Sequence, residues 1–202
     1  MFSDQSIDTY LQRLAGKTST PGGGAAAGIS GAQAAALLGM VAQYSKEDEL
    51  PVQAIITNCE ASSRLFLNLT EADITGFNAV MTAYGLPSQD AADKQLKTAA
   101  LQQALETAAG PPSEMIKVSM ALLPTARQLL DRGNKNLLTD VGVAASLLLS
   151  CIQSSRLNLL VNLKAIKNPA FIAESQALLA STTTRVYELN QIVSDIEHSL
   201  AR

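Results

Sequence analysis

Apolar residues recur every three to four positions along most of the chain, which is the spacing of helices that bury one face. Ile7, Leu11 and Leu14 form one such face, and Ser6 can cap the helix that carries them. The same periodicity predicts about seven helices. They cover residues 7–15, 24–45, 51–84, 89–109, 113–130, 140–167 and 170–200, and Thr70-Glu71-Ala72-Asp73 is either a restart or a continuation within 51–84.

Turn residues separate the predicted helices and leave no room for a long linker. Gly85-Leu86-Pro87 and Gly110-Pro111-Pro112 each combine residues that end helices, and Asn168-Pro169 fits the cap and first position of the last helix. No stretch alternates with the period of a strand. We therefore expect residues 1–202 to form one all-α domain, a single up-and-down bundle of about seven helices.

The segment from residue 18 to residue 45 carries no charge and is long enough to cross a bilayer. It is also rich in Gly, Ser, Thr and Gln, which makes it weakly hydrophobic for a membrane span. A helix buried on all sides inside a bundle explains the pattern better, and its glycines would allow neighbouring backbones to approach closely. No membrane association is expected.

Composition and charge exclude several classes of function. Aromatic residues are 4% of the chain and Trp is absent, while Ala and Leu, the strongest helix formers, dominate. The net charge of −3 argues against a nucleic-acid partner. With one histidine, His198, and two cysteines, Cys59 and Cys151, the chain offers too little for a metal site, a disulfide framework or a serine-hydrolase triad. Both thiols are expected to be ordinary buried residues in a reducing compartment.

Two features are candidates for chemistry on pattern alone. Pro21 and the three glycines Gly22, Gly23 and Gly24 precede a helix, whose free N–H groups could hold a carboxylate or a phosphate. The alternative is a flexible entry to a tightly packed helix. Asp73 borders an apolar helix face that includes Phe77, so its pKa could be raised for acid–base work. The alternative is an acid at the start of a helix, stabilised by the helix dipole.

A third candidate is a set of polar residues in the helix predicted over 140–167. Asp140 and Asn158 share a helix face, but the 18 residues between them put the two about 27 Å apart along the axis. Asn158 and Asn162 are one turn apart and could bind one ligand together, or they could belong to a hydrogen-bond network inside the bundle. Asp140 could equally belong to the cap of its helix.

Several stretches, taken in order, resemble a known family. They are Thr20-Pro21-Gly22-Gly23-Gly24, Ala72-Asp73 through Met81, Tyr84-Gly85-Leu86-Pro87, Gly133-Asn134, Thr139-Asp140 and Asn158 through Leu163. Together they resemble the formimidoyltetrahydrofolate cyclodeaminase and methenyltetrahydrofolate cyclohydrolase family. Two features depart from the usual pattern: Ala25 replaces a Ser, and the segment 42–49 is shorter than in most members.

The resemblance implies an all-α dimer that acts on a one-carbon tetrahydrofolate derivative as substrate. It implies that Asp73 is the catalytic acid or base, without a metal or a tightly bound cofactor. Two further roles are hypotheses: the glycine loop or a nearby cation would hold the glutamate carboxylates of the folate, and Asn158 with Asn162 would bind the edges of the pterin. Phe77, Asn134 and Asp140 are further expected substrate contacts.

The implied enzyme would hydrolyse 5,10-methenyltetrahydrofolate, cyclise 5-formimidoyltetrahydrofolate with release of ammonia, or do both. Two alternatives remain at this point: a folate-binding relative without catalysis, and a helical dimer with a purely structural role. The start of the chain, Met1 to Gln5, lacks the basic and apolar regions of a signal peptide, so a cytoplasmic location is expected.

Overall fold

The computed structural model describes residues 4–201, and all regular structure in that range is helical. The first three residues, on which part of the signal-peptide argument rests, lie outside the described range. The α-helices are α1 (Ile7–Ala15), α2 (Gly23–Gln43), α3 (Val52–Tyr84), α4 (Ala91–Arg132), α5 (Leu138–Leu163) and α6 (Pro169–Leu200), with a short 3₁₀ helix at Lys135–Leu137 before α5. The all-α, single-domain prediction is confirmed.

The number of helices differs slightly from the prediction because α4 does not break at Gly110-Pro111-Pro112. Its continuity has a physical basis: Gly110 lacks the Cβ that disfavours helical backbone before a proline, and both proline rings are buried in the bundle. The N–H missing at Pro112 leaves the carbonyl of Ala108 without its intrahelical partner. The side-chain amide of Asn162 on α5 donates to that carbonyl at 3.2 Å.

Helix α2 lies at the centre of the bundle, packed against α3, α4 and α5. Its glycines make this possible. A Cβ at Gly31 would come within 2.5 Å of the Phe66 ring, and one at Gly28 would overlap the hydroxyl of Thr70. Phe66 and Thr70 are buried on α3. The backbone of α2 therefore packs directly against these two side chains of α3. The predicted close approach around the uncharged segment is confirmed.

Two stretches, Gly23–Gln43 and Lys135–Leu163, are long and apolar enough to cross a membrane by length and composition alone. About 61% of the first apolar window and 39% of the second is buried inside the bundle. Much of their apolar character therefore serves the core of the protein. The absence of membrane association stays a prediction.

Candidate active site

A cavity of about 440 Å³ opens between the amino end of α2, the carboxyl-terminal part of α3, a stretch of α4, and the carboxyl end of α5 with its following loop. Its volume is in the range of small-molecule sites. Three of the four sides carry residues that the sequence singled out. The lining residues are Ser19, Thr20, Gly22, Gly23, Gly24, Asp73, Phe77, Val80, Met81, Tyr84, Leu105, Ala108, Asn158, Val161, Asn162 and Ala165.

Asp73 provides the carboxylate of this cavity. It lies in the middle of α3, which runs without interruption from Val52 to Tyr84, so it is not an acid at a helix start. Burial raises the pKa of Asp73 from its usual value to about 6. A carboxyl with a pKa close to neutral can both accept and release a proton at cellular pH.

The carboxylate of Asp73 packs directly against Gly24 at the amino end of α2. A Cβ at position 24 would overlap both carboxylate oxygens, so no residue other than glycine fits there without moving Asp73. The helix cap is Gly22, which has no side chain to bind the first turn. The N–H groups of Gly23, Gly24 and Ala25 have no acceptor within α2, because the first intrahelical bond runs from Ala26 to Gly22. An anion or a developing negative charge is favoured at this position.

Asn158 and Asn162 line the opposite side of the cavity on α5. The Nδ2 of Asn158 donates to the carbonyl of Ser154 at 2.8 Å, and that of Asn162 donates to Ala108 across to α4. The two amides are hydrogen-bonded inside the bundle and also line the cavity. The structure is therefore compatible with both predicted roles, a hydrogen-bond network and a ligand contact. Each side chain keeps its oxygen as an acceptor for a ligand N–H.

Not all predicted site residues meet at the cavity. Pro21 is buried behind the loop, after a cis peptide bond, and does not line the cavity. Asn134 caps the 3₁₀ helix and donates to the carbonyl of Tyr44 at 2.9 Å, beyond the carboxyl end of α2. Asp140 lies in the first turn of α5. Both are therefore at the end of the bundle opposite Asp73 within one chain.

Metal ligation and thiol chemistry have little support among residues 4–201. In that range, no group of three or more His, Cys, Asp or Glu side chains is arranged to hold a metal ion. Cys59 and Cys151 are free and buried, as predicted. Burial raises the pKa of the Cys59 thiol to about 11 and also raises that of Cys151.

Known proteins are similar to this chain in sequence and in fold. The family model described as formiminotransferase-cyclodeaminase matches residues 6–181. The chain belongs to the formiminotransferase-cyclodeaminase family. A methenyltetrahydrofolate cyclohydrolase from Methylorubrum extorquens is 34% identical, and the match covers 93% of this chain and 97% of that protein.

The family includes proteins of different architecture. A formimidoyltransferase-cyclodeaminase from Rattus norvegicus is 28% identical over 88% of this chain, and the match spans 34% of that longer protein. A solved structure titled formiminotetrahydrofolate cyclodeaminase, from Thermotoga maritima, is 29% identical and superposes with a TM-score of 0.89 over the full length of both chains. This chain thus corresponds to one part of the longer relatives and to the whole of the shorter ones.

Within the family fold, several cavity residues were not predicted as substrate contacts. Met81 and Tyr84 belong to the stretches that resemble the family and follow Asp73 and Phe77 at helical spacing, so the periodicity of α3 could have included them. Leu105 and Ala108 come from α4 and carry no local signal. Their position depends on how α4 packs against α3, which periodicity does not specify.

Proposed function

We propose that this member of the formiminotransferase-cyclodeaminase family acts on the one-carbon bridge of tetrahydrofolate. Its reactions would be hydrolysis of 5,10-methenyltetrahydrofolate, cyclisation of 5-formimidoyltetrahydrofolate with release of ammonia, or both. The observation that carries the proposal is the half-buried Asp73 carboxyl, with a pKa of about 6, on the floor of a cavity that faces free N–H groups of α2. The names of the relatives support the substrate class.

Hydrolysis needs little beyond a positioned base. The methenyl carbon lies between two nitrogens that share a positive charge. A water adds to this carbon while the Asp73 carboxylate accepts its proton, so a C–O bond forms and the cation is neutralised. The proton on Asp73 then passes to the nitrogen whose C–N bond breaks, while the hydroxyl group of the adduct loses its proton to solvent. This gives the formyl product, restores the carboxylate and releases one proton overall.

Cyclisation uses the same carbon and the same carboxyl. A secondary amine nitrogen of the substrate attacks the formimidoyl carbon and loses its proton to Asp73. That proton, with one more from solvent, allows the imino nitrogen to leave as ammonia, and the cationic methenyl ring remains. A carboxyl with a pKa of about 6 can serve as base and then as acid near neutral pH.

We further propose roles for the remaining cavity residues. Asn158 and Asn162 would accept hydrogen bonds from the pterin N–H groups, and Phe77 would pack on its flat face. Gly23 and Gly24 would direct backbone N–H groups toward the anionic part of the substrate. No metal, tightly bound cofactor, nucleic acid or membrane enters this scheme, and the protein would act in the cytoplasm.

We also propose that the protein functions as a homodimer. Helix α5 carries no charged residue from Val141 to Ser155, and α2, which packs along it, carries none at all. Both helices nevertheless leave residues exposed to solvent in the single chain. Uncharged, partly apolar helix faces of this kind are typical of subunit interfaces.

The purified protein should be incubated separately with methenyltetrahydrofolate and formimidoyltetrahydrofolate, following the methenyl absorbance and ammonia release. The Asp73→Asn variant should lose turnover by about 10²-fold or more, because the acid–base group is removed. Asp131→Asn, an exposed carboxylate at the far end of α4, is the matched control and should keep the wild-type rate.

The wild-type rate should also fall as the pH drops below about 6, because protonated Asp73 no longer accepts a proton. If wild-type protein binds folate without converting either substrate, it is a non-catalytic relative. If it neither binds nor converts folate, a structural role is supported instead. Full activity in Asp73→Asn would remove this carboxyl from the mechanism.

A further inference from the structure

The orientation of the two cavity amides is fixed by what their nitrogen atoms bind. The Nδ2 of Asn158 donates to the carbonyl of Ser154 at 2.8 Å, and the Nδ2 of Asn162 donates to the carbonyl of Ala108 at 3.2 Å. A carbonyl accepts hydrogen bonds and never donates them, so each contact identifies the end of the amide that carries the nitrogen. The two Oδ1 atoms therefore lie on the side away from these carbonyls.

Both amide oxygens are open to a ligand. Within residues 4–201, neither the Oδ1 of Asn158 nor that of Asn162 has a hydrogen-bond partner. In the same range, no buried side-chain nitrogen or oxygen lacks a partner, so these two oxygens are not buried. Both residues line the cavity, which gives a ligand bound there access to the two acceptors.

The amide of Asn158 shares an acceptor that is already in use. Ser154 precedes Asn158 by four residues in α5, so its carbonyl also accepts the backbone N–H of Asn158. A second donor to an occupied carbonyl adds little to its satisfaction. The side chain of Asn158 can therefore give up this contact and turn without leaving a buried group unpaired.

The amide of Asn162 is held differently, because the carbonyl of Ala108 has lost its backbone donors. In a helix, a carbonyl accepts from the N–H four residues later or, in a tighter turn, three residues later. For Ala108 these positions are Pro112 and Pro111, which have no N–H, and α4 nevertheless continues through both. Ala108 is only 6% exposed, so its carbonyl requires a donor from elsewhere in the protein. Asn162 supplies it.

We infer that Pro112 is a positioning residue of the cavity: it reserves the Ala108 carbonyl for Asn162 and so holds the Oδ1 of Asn162 toward the ligand. The inference rests on the proposed function for the ligand, whose pterin carries the N–H groups that this oxygen would accept. An acceptor that is already oriented loses no rotational freedom when the ligand binds. An amide free to turn would also present its NH₂ group to the pterin N–H groups, and two donors repel each other.

Replacement of Pro112 by alanine tests the inference directly. Pro112→Ala restores a backbone N–H that can bond the Ala108 carbonyl, so Asn162 is released. The dissociation constant of 5-formyltetrahydrofolate should rise by about 3- to 10-fold, which corresponds to one hydrogen bond. The KM for the reacting folate should rise by the same factor, while kcat stays within about twofold because Asp73 is untouched.

Pro111→Ala is the matched control. Pro111 is buried like its neighbour, so the same ring atoms are lost from a similar environment. The restored N–H, however, faces the carbonyl of Thr107, an exposed residue one turn earlier in α4. This variant should keep the wild-type dissociation constant. Equal weakening in both variants would show that buried proline packing supports binding, and would overturn the role assigned to the Ala108 carbonyl.

Thermal unfolding tests the link between Pro112 and Asn162 without any ligand. In the wild-type chain, Asn162→Ala leaves the Ala108 carbonyl unpaired and should lower the melting temperature by about 4 °C. In the Pro112→Ala chain, the same substitution should lower it by less than about half as much, because the restored N–H satisfies the carbonyl. Equal losses in the two chains would overturn the inference.

The two measurements separate this inference from the proposed function. If the wild-type protein binds no folate while the substitutions are coupled in unfolding, the proposed function fails and the positioning of Asn162 by Pro112 stands. If the wild-type protein binds and converts folate while Pro112→Ala leaves the dissociation constant unchanged, the proposed function stands and this inference fails. In the Asn162→Ala chain, Pro112→Ala should not weaken binding further, and a further loss would contradict action through Asn162.

Discussion

At the scale of single residues, Asp73 exposes a conflict between stability and chemistry. Its pKa in the folded protein is about 6, above the ordinary value of 3.8, because burial penalises the charged form. Between pH 4 and pH 6 the folded protein binds more protons at this site than the unfolded chain. The contribution of this group to the free energy of unfolding therefore falls as the pH rises through that window. At neutral pH, ionised Asp73 lowers the stability of the folded protein.

Asp73→Asn should accordingly stabilise the fold at neutral pH while it abolishes turnover. A pKa raised by about two units corresponds to at most about 3 kcal/mol, and partial solvent exposure reduces this to about 1–2 kcal/mol. Urea unfolding of wild type and variant at pH 7.5 should show this gain. The gain should shrink as the pH falls and vanish below about pH 3, where Asp73 is protonated in both states. A variant less stable than wild type at pH 7.5 would contradict burial as the cause of the raised pKa of Asp73.

Gly24 offers a second test at the same scale. Gly24→Ala would place a methyl group where the carboxylate oxygens of Asp73 lie, so we expect kcat to fall by about 10²-fold through displacement of the base. Gly23→Ala is the matched control, because its Cβ would meet only the Asn158 amide at an ordinary 3.8 Å. That control should change KM more than kcat. Equal losses of kcat in both variants would show that kcat depends on the glycine loop as a whole and not on the position of Asp73.

At the scale of elements, the close contact of α3 with α4 shapes the cavity wall. A Cβ on Gly76 would come within 3.0 Å of the Cα of Ala108, a backbone atom that cannot move aside without shifting α4. Ala108 lines the cavity, and its carbonyl accepts the hydrogen bond from Asn162. The spacing of the two helices and the position of the amide are therefore coupled.

Gly76→Ala should destabilise the protein by about 1–3 kcal/mol, the usual cost of overpacking a tight contact. Gly85→Ala at the end of the same helix is the control. Its backbone is in the ordinary right-handed helical region and its Cβ would meet no atom closer than 3.4 Å. It should stabilise by about 0.4–1 kcal/mol by restricting the unfolded chain. Thermal unfolding of the two variants measures the difference, and identical melting temperatures would contradict the tight contact.

The element scale also shows what the sequence could and could not predict. Helix periodicity and the caps at Ser6 and Asn168 were sufficient to place most helices, since those signals are local. The break predicted at Gly110-Pro111-Pro112 was wrong, because burial of the prolines and the Asn162 amide compensate for the lost hydrogen bonds. Compensation by a residue about fifty positions away leaves no trace in a local pattern.

For the candidate site, the sequence predicted the chemistry better than the geometry. Asp73, the glycines and the Asn pair were recognisable from residue type, and the structure brings them to one cavity. Asn134 and Asp140 were also predicted to contact the substrate, yet in one chain they lie at the end of the bundle opposite Asp73. Spacing along one helix gives the distance between its ends, but it does not show which residues of the other helices lie beside them.

At the scale of the whole molecule, the proposed homodimer can be tested on the exposed face of α5. Ser150 lies near the middle of this helix and is exposed in the single chain. An arginine there would cost the isolated chain little, since surface substitutions usually change stability by less than about 0.5 kcal/mol. If the proposed homodimer pairs through α5, the same substitution would bury an unpaired charge from each copy in the interface.

Ser150→Arg should therefore convert the protein from a dimer to a monomer of 21.2 kDa in light scattering, with unchanged helical circular dichroism. Its melting temperature should lose the dependence on protein concentration that association gives to the wild type. Thr57→Arg on the exposed face of α3 controls for the added charge and should stay dimeric. A Ser150→Arg protein that stays dimeric would contradict the proposed pairing through α5.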